Sequence, residues 1–312
     1  VSRTPAICLL GPTAAGKTAL AIEIVQRLPC EIINVDSAQI YRGMDIGTGK
    51  PDAATLGRAP HRLIDILDPA QAYSVSHFRD DALREMADIR DSGRVPLLVG
   101  GTMMYFKALR DGLAPMPAAS EEVRAGILTL AERDGWGAVH ARLGEIDPSS
   151  AARIHPNDPQ RLQRALEVYL VSGRSMTEWH HQGDDQVALQ PFDLHFVSVQ
   201  PTLRSVLHER IAARFQQMLS DGLVTEVEGL YHRGDLDLAM PSMRAVGYRQ
   251  VWQYLAGEYS FDAMREKGII ATRQLAKRQV TWMRSWNALR NFDSENPETV
   301  DQLLKLIERI AI

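Results

Sequence analysis

The sequence of 312 residues holds only two cysteines, Cys8 and Cys30. That excludes a disulfide framework and leaves too few thiolates for a zinc finger. No apolar run approaches the ~20 residues of a membrane-spanning helix, and the opening residues VSRTPAICLLGPT lack a signal peptide's layout. The expectation is a soluble, cytoplasmic, monomeric protein with no membrane partner. A basic excess is missing as well. The net charge of −4 argues against a globally basic nucleic-acid binder but leaves room for a local basic stripe. Repeats and low-complexity tracts are absent. A hydrophobic share of 45% with 24% charged residues is ordinary globular composition, which rules out disorder, collagen and coiled coil. The length suits roughly two domains.

What is present alternates. AICLLG (6–11), EIINVDS (31–37) and VPLLVGG (95–101) are short apolar runs. Between them lie helical patterns, Leu20, Ile24 and Leu28 in the first and Phe78, Leu83, Met86 and Ile89 in the second. Strands that are apolar throughout and separated by helices predict a parallel sheet covered on both faces. After Gly112 the Pro-rich LAPMPAAS reads as a linker, and Glu121 to about Trp179 reads as helices without a strand. One of these has Asp158 as N-cap, Pro159 in its first turn and Gly173 as its stop. FDLHFVSVQ (192–200) is again a strand, and long helices follow. The expected fold is α/β, a P-loop NTPase-like core of residues 1–112 and 190–312 interrupted by an all-helical insertion of residues 113–189.

GPTAAGKT fits the phosphate-loop pattern G-x-x-x-x-G-K-[ST] between a strand and a helix. Gly11 and Gly16 let the backbone wrap tightly, so that the stretch Gly11, Pro12, Thr13, Ala14, Ala15, Gly16, Lys17 and Thr18 can aim several N–H groups at one anion. The helix N-terminus and Lys17 add positive charge, and the Thr18 hydroxyl suits Mg²⁺. The loop predicts a di- or triphosphate ligand without choosing one. ATP or GTP is its commonest occupant, so an ATP-dependent small-molecule kinase and a non-catalytic, nucleotide-gated RNA-binding module are both readings of it. Against a kinase, the third strand ends in Gly100-Gly101-Thr102, where many nucleotide enzymes carry an acid for the metal. No Arg-rich lid follows.

Asp36 ends the second strand, and open parallel sheets bind ligands at the carboxyl ends of their strands. A carboxylate there can be a general base, a metal partner or a cap for the Asp-Ser turn. The long polar loop after it, with Gln39, Tyr41, Arg42 and Asp45, favours a functional role. Farther on, Lys267, Arg273, Lys277, Arg278, Arg284 and Arg290 follow one another without an acid. Arg273, Lys277 and Arg284 share a helical face, suited to phosphates. Trp282 and Trp286 lie on another, and the core is their expected place. His180-His181 has no third ligand and makes a poor metal site.

GPTAAGKT, DSAQIYRGMDIGTGKP, VGGTMMYFKAL, NDPQRLQRALEV, RAVGYRQ and ATRQLAKRQVTWMR, in this order, resemble the bacterial tRNA dimethylallyltransferases (tRNA isopentenyltransferases) from Gly11 to about Arg284. The resemblance implies transfer of a dimethylallyl group from dimethylallyl diphosphate to the exocyclic amine of adenosine 37 in the tRNA anticodon stem-loop, with Mg²⁺ and release of pyrophosphate. Thr13 to Thr18 would cradle the diphosphate, Thr18 would serve the metal, and Asp36 matches the family's base. Thr102 would sit near the amine. Arg214, or Arg210 one turn earlier, would hold the pyrophosphate. The implied tRNA contacts are Asp36, Ser37, Ala38, Gln39 and Thr102, then Gln160, Arg161, Leu162, Gln163 and Arg164 of the insertion. On the core side they are Arg244, Ala245, Val246, Gly247, Tyr248 and Arg249, with Lys277, Arg278, Gln279, Val280, Thr281, Trp282, Met283 and Arg284.

Overall fold

A computed structural model describes residues 3–183, 191–287 and 289–311. By contact the chain divides into two compact units, Val1–Leu109 with Pro191–Ile312, and Arg110–Gln190. The expected downstream boundary at 189/190 lies outside the described residues.

The first unit is built on a parallel sheet, six-stranded among the described residues. Its strands are β1 (Thr4–Leu10), β2 (Cys30–Val35), β3 (His61–Arg62), β4 (Val95–Gly100), β5 (Phe192–Gln200) and β6 (Arg290–Asp293), in the order β3-β2-β4-β1-β5-β6. The side-chain period of two sorts the strand residues between two cores. Ala6, Cys8, Leu10, Ile33, Val35 and Leu98 pack on one face, under helices α3 (Val75–Asp91) and α4 (Met103–Asp111). Ile7, Leu9, Ile32, Leu97, Val99, Val197 and Val199 pack on the other, under α1 (Lys17–Arg27) and α13 (Thr299–Ala311). Both faces are buried, which is why these strands read as continuous apolar runs. The edge strands β3 and β6 gave no such signal. They are two and four residues long, and each pairs on one side only.

A third cluster of the same unit joins the loop after β2 to helices α9 (Arg204–Ser220), α10 (Leu223–Tyr231), α11 (Tyr248–Leu255) and α12 (Phe261–Arg284). The short helix α2 (Ala53–Arg58) follows that loop. Arg290 leaves the basic stripe, because the helix ends at Arg284 and Arg290 begins an edge strand.

The second unit is helical among its described residues: α5 (Glu121–Ile146), α6 (Pro148–Arg153), α7 (Pro159–Ser172) and α8 (Met176–Gly183). Gly135, at φ 80°, breaks α5 into two segments. Asp158 caps α7 by accepting from Arg161 N–H, and Gly173 ends it in the left-handed conformation. An apolar cluster of Ile127, Val139, Leu143, Leu162 and Leu166 fills the unit. Beside it, the fully buried Glu167 accepts from Ser120 N–H at 2.8 Å, from Arg124 at 2.9 Å and from Arg164 at 2.8 Å. Burial pushes the Glu167 carboxyl up, but the hydrogen bonds of Arg124, Arg164 and Ser120 outweigh it and hold the group below its ordinary value.

A group held below its ordinary value stabilises the fold above the usual carboxylate range and loses that contribution as the pH falls through it. Glu167→Gln should destabilise the unit by roughly 1–3 kcal/mol at neutral pH and remove part of its acid sensitivity. Urea titrations read by hydrogen exchange in α5 and α7 of the full chain check both.

Candidate active site

Gly100 pairs with Leu10 on one side and with Val35 on the other. Gly11, Asp36 and Gly101 therefore leave the sheet side by side at its carboxyl edge, where a cavity of about 550 Å³ opens. Its wall includes the phosphate loop, the segment after β2, the end of β4 and faces of α9 and α12. Among the described lining residues, Asp36 is the only carboxylate, whereas Lys17, Arg214, Arg244 and Arg278 are basic.

The phosphate loop is formed as its glycines require. Gly16, at φ 87°, caps α1 without a side-chain acceptor. The first-turn N–H groups thus remain for an anion. The Lys17 ammonium donates to Pro12 O at 2.8 Å. Burial lowers its pKa to about 8, opposed by Asp36 and reinforced by Arg214.

Arg214 has no hydrogen bond or ion pair among the described residues. Burial lowers its pKa from the ordinary value, with Asp36 counteracting. Its guanidinium lies against Gly49, where an added Cβ would stand 1.7 Å from Nη2, and Gly49 has φ +61°. No other residue fits that position without displacing the arginine. Arg210 is engaged elsewhere, with Glu295 and with Ser294 Oγ at 3.1 Å. Of the two arginine candidates, the cavity described here receives Arg214.

Asp36 uses one oxygen to fix its own loop. Oδ1 accepts from Ala38 N–H at 2.9 Å and, at 3.4 Å, from Gln39 N–H, while Oδ2 has no such partner among the described residues. The Thr102 hydroxyl accepts from Ser37 N–H at 3.1 Å and ties the end of β4 to this turn. Gln39 Nε2 donates to Thr48 O at 3.2 Å and Gly49 O at 3.3 Å.

The loop's far side rests on Glu226, which sequence reasoning missed. Its carboxylate accepts from Asp45 N–H at 3.0 Å, Ile46 N–H at 2.7 Å and Gly47 N–H at 3.0 Å. The Tyr248 phenol donates to it at 2.5 Å. Three successive N–H groups form an anion-binding concavity, filled here by the chain's own acid. These three N–H partners lie 179 to 181 residues away in sequence, so no local signal marked it. Gly49 stood inside DIGTGKP, but only the arginine opposite explains it.

The expected RNA contacts divide by burial. Lys277, Arg278, Thr281, Arg284, Arg244 and Arg249 are exposed, and Val280, Ala245 and Val246 are half-buried. Arg278, Arg244, Ala245, Val246 and the half-buried Trp282 line the cavity. Tyr248, Met283 and Leu162 are corrections: all three are core side chains, at 0%, 4% and 0% exposure, and their surface is already covered. Gly247 is the buried N-cap of α11. Gln279 is buried with both ends of its amide engaged. In the second unit Gln160 and Arg161 are exposed, and the half-buried Gln163 donates to Arg124 O at 3.5 Å. Arg164 is tied to Glu167 and, at 2.9 Å, to Pro117 O. Arg273 leaves the exposed stripe; it is half-buried, and its Nε is a buried atom without a hydrogen-bond partner among the described residues. Trp286 joins the core with its ring edge-on to Phe196 at 5.1 Å.

A family model described as IPP transferase matches residues 39–286, and one described as Isopentenyl transferase matches residues 5–65. Among solved structures, the chain is similar to the full-length tRNA isopentenylpyrophosphate transferase of Bacillus halodurans. The two are 34% identical over 99% of this chain and 97% of that one, with a TM-score of 0.73. The tRNA delta(2)-isopentenylpyrophosphate transferase of Staphylococcus epidermidis is 32% identical over 98% and 100% of the chains, with a TM-score of 0.70. A eukaryotic dimethylallyltransferase acting on tRNA is 24% identical, covering 98% of this chain and 79% of its own; its TM-score of 0.82 is a likeness of fold.

Gly49→Ala should displace the Arg214 guanidinium and weaken inorganic pyrophosphate binding roughly 10- to 100-fold, the loss of a hydrogen bond to a charged group. Gly43→Ala is the control, since Gly43 has a similar φ of +71° with nothing within 4 Å of an added Cβ. Calorimetry distinguishes them.

Proposed function

The chain belongs to the IPP transferase family, and we propose how its cavity carries out the transfer of a dimethylallyl group to tRNA. The observation that carries this reading is the charge of the cavity wall, where, among the described residues, the phosphate loop, Lys17 and an Arg214 without an ion pair face a single carboxylate. Such a site suits a diphosphate with an uncharged nucleophile beside it.

The diphosphate of dimethylallyl diphosphate lies along Thr13–Thr18, between Lys17 and Arg214. The exocyclic amine of adenosine 37 approaches from the side of Asp36 and Thr102. Its lone pair is delocalised into the ring, so removing its proton in the transition state raises its nucleophilicity. The C1–O bond of the donor breaks and its electron pair leaves with pyrophosphate. The amine nitrogen bonds to C1 and gives its proton to Asp36 Oδ2. Negative charge grows on the leaving group, and Lys17, Arg214 and the N–H groups of the loop oppose it without reorganising.

Mg²⁺ fits the donor set. Among the described residues no group of three or more His, Cys, Asp or Glu could hold a metal. The ion would be held by the exposed Thr18 hydroxyl and by phosphate oxygens of the donor, in keeping with the few protein ligands Mg²⁺ takes. When bound it would supply further neutralisation of the leaving pyrophosphate.

The target base must leave its stack, which costs a few kcal/mol and least in a single-stranded loop. Arg244, Arg278 and Trp282 receive it at the cavity, Lys277 and Arg284 meet backbone phosphates, and Gln160 and Arg161 contribute contacts from the second unit. Incubating unmodified tRNA with dimethylallyl diphosphate should yield prenylated adenosine. Phosphoryl transfer from ATP with no prenylated product would overturn the assignment.

Asp36→Asn keeps the acceptor for Ala38 N–H but cannot take a proton. It should slow turnover by about 100-fold or more with little change in tRNA affinity, and near-normal single-turnover rates would remove Asp36 as the base. Lys17 yields a pH dependence. Its ammonium loses its proton above about pH 8, and a bound anion favours the charged form. Affinity for dimethylallyl diphosphate should therefore fall as the pH rises through that value, with proton uptake on binding. Calorimetry in buffers of different ionisation enthalpy measures the uptake, which Lys17→Arg should abolish.

A further inference from the structure

Gln279 lies on α12 at 9% exposure, within a segment expected to meet RNA. Its Oε1 accepts from Thr13 N–H at 2.9 Å, and its Nε2 donates to Gly101 O at 2.9 Å. One amide therefore joins the phosphate loop to the residue just beyond β4. The approach depends on Gly101, where an added Cβ would stand 2.4 Å from Nε2. The next residue, Thr102, holds Ser37 N–H, and Ser37 adjoins Asp36. A continuous series of contacts thus runs from Thr13, on the side of the leaving group, to Asp36, on the side of the incoming amine. Thr13 N–H is committed to Gln279 instead of to the anion.

The geometry has a chemical consequence. A displacement needs nucleophile, carbon and leaving group close together and aligned, and small misplacements cost large factors in rate. The sheet fixes where β1, β2 and β4 end, but it does not fix the loops beyond them. Gln279 spans that gap. We propose that Gln279 is a positioning residue for the transfer, holding the phosphate loop in register with Thr102 and Asp36, and that it is not an RNA contact. This rests on the diphosphate reading of the cavity given above.

Two variants test it in the full chain with dimethylallyl diphosphate and an anticodon stem-loop RNA. Gln279→Met has similar length and makes neither hydrogen bond. It should lower kcat/KM for the donor roughly 10- to 100-fold, while the Kd for the RNA stays within about twofold and its salt slope is unchanged. Gln279→Glu probes the two bonds separately. Its carboxylate can accept from Thr13 N–H but repels Gly101 O, whereas the protonated acid can make both bonds. Activity of this variant relative to the wild type should therefore recover as the pH falls. The ratio is needed because Lys17, Asp36, His61, Arg214, Arg244 and Arg278 of the same cavity are ionisable and act in both proteins. Unchanged donor kinetics in Gln279→Met with weakened RNA binding, or a Gln279→Glu ratio flat with pH, would overturn the proposal. A wild type that transfers no prenyl group would instead overturn the reading beneath it.

Discussion

Two cations that share a cavity, with no carboxylate among the described residues bound to either, are the constraint around which this protein is arranged. Lys17 and Arg214 repel one another, and burial lowers the pKa of both. Such an arrangement is costly in the free protein and is relieved by a polyanion. Its persistence depends on groups that hold the cations without neutralising them. Pro12 O takes the ammonium and the backbone of Gly49 backs the guanidinium. Arg210, one helical turn away, has the alternative fate: it is paired with Glu295 and no longer offers a free charge.

Acids near the site are correspondingly committed elsewhere. Glu226 is occupied by three backbone N–H groups and the Tyr248 phenol, whose pKa is raised by burial and by Glu226. Asp45 and Asp65 are paired with the buried Lys50, which also donates to Tyr41 O. These contacts make the loop after β2 a buttress with few degrees of freedom, and the position of Gly49 follows from them. Arg214 is thus held from the side of the loop by residues that do not themselves face the proposed ligand.

The parallel sheet was legible because both of its faces are buried, and the phosphate loop because its chemistry is local, a glycine turn at a helix start. The helical character of residues 121–179 was legible from periodicity and from the Asp158, Pro159 and Gly173 signals. What escaped was whatever depends on distant chain. β3 and β6 are too short for a period to register. Glu226 has its three backbone donors some 180 positions upstream. Burial of Leu162, Tyr248 and Met283 was concealed because their motif neighbours Arg161, Arg249 and Arg284 are exposed. A contiguous motif on a helix presents some of its residues to solvent and others to the core, so a motif cannot be assigned to a ligand as a block.

Asp36 illustrates how a structural and a chemical reading of one residue coexist. A carboxylate at the end of a strand can cap the turn that follows it or act on a substrate, and from sequence these are alternatives. In the fold the two readings can divide between two oxygens: Oδ1 is anchored by Ala38 N–H, so the carboxylate plane is set, and Oδ2 has no hydrogen bond among the described residues. A free aspartate would have to freeze its side-chain rotation in every turnover. Here the turn has already done so, and Thr102 has fixed the turn to β4. The cap is therefore no rival to the proposed base. It holds a flexible acid in one orientation, as the proposed proton removal would require.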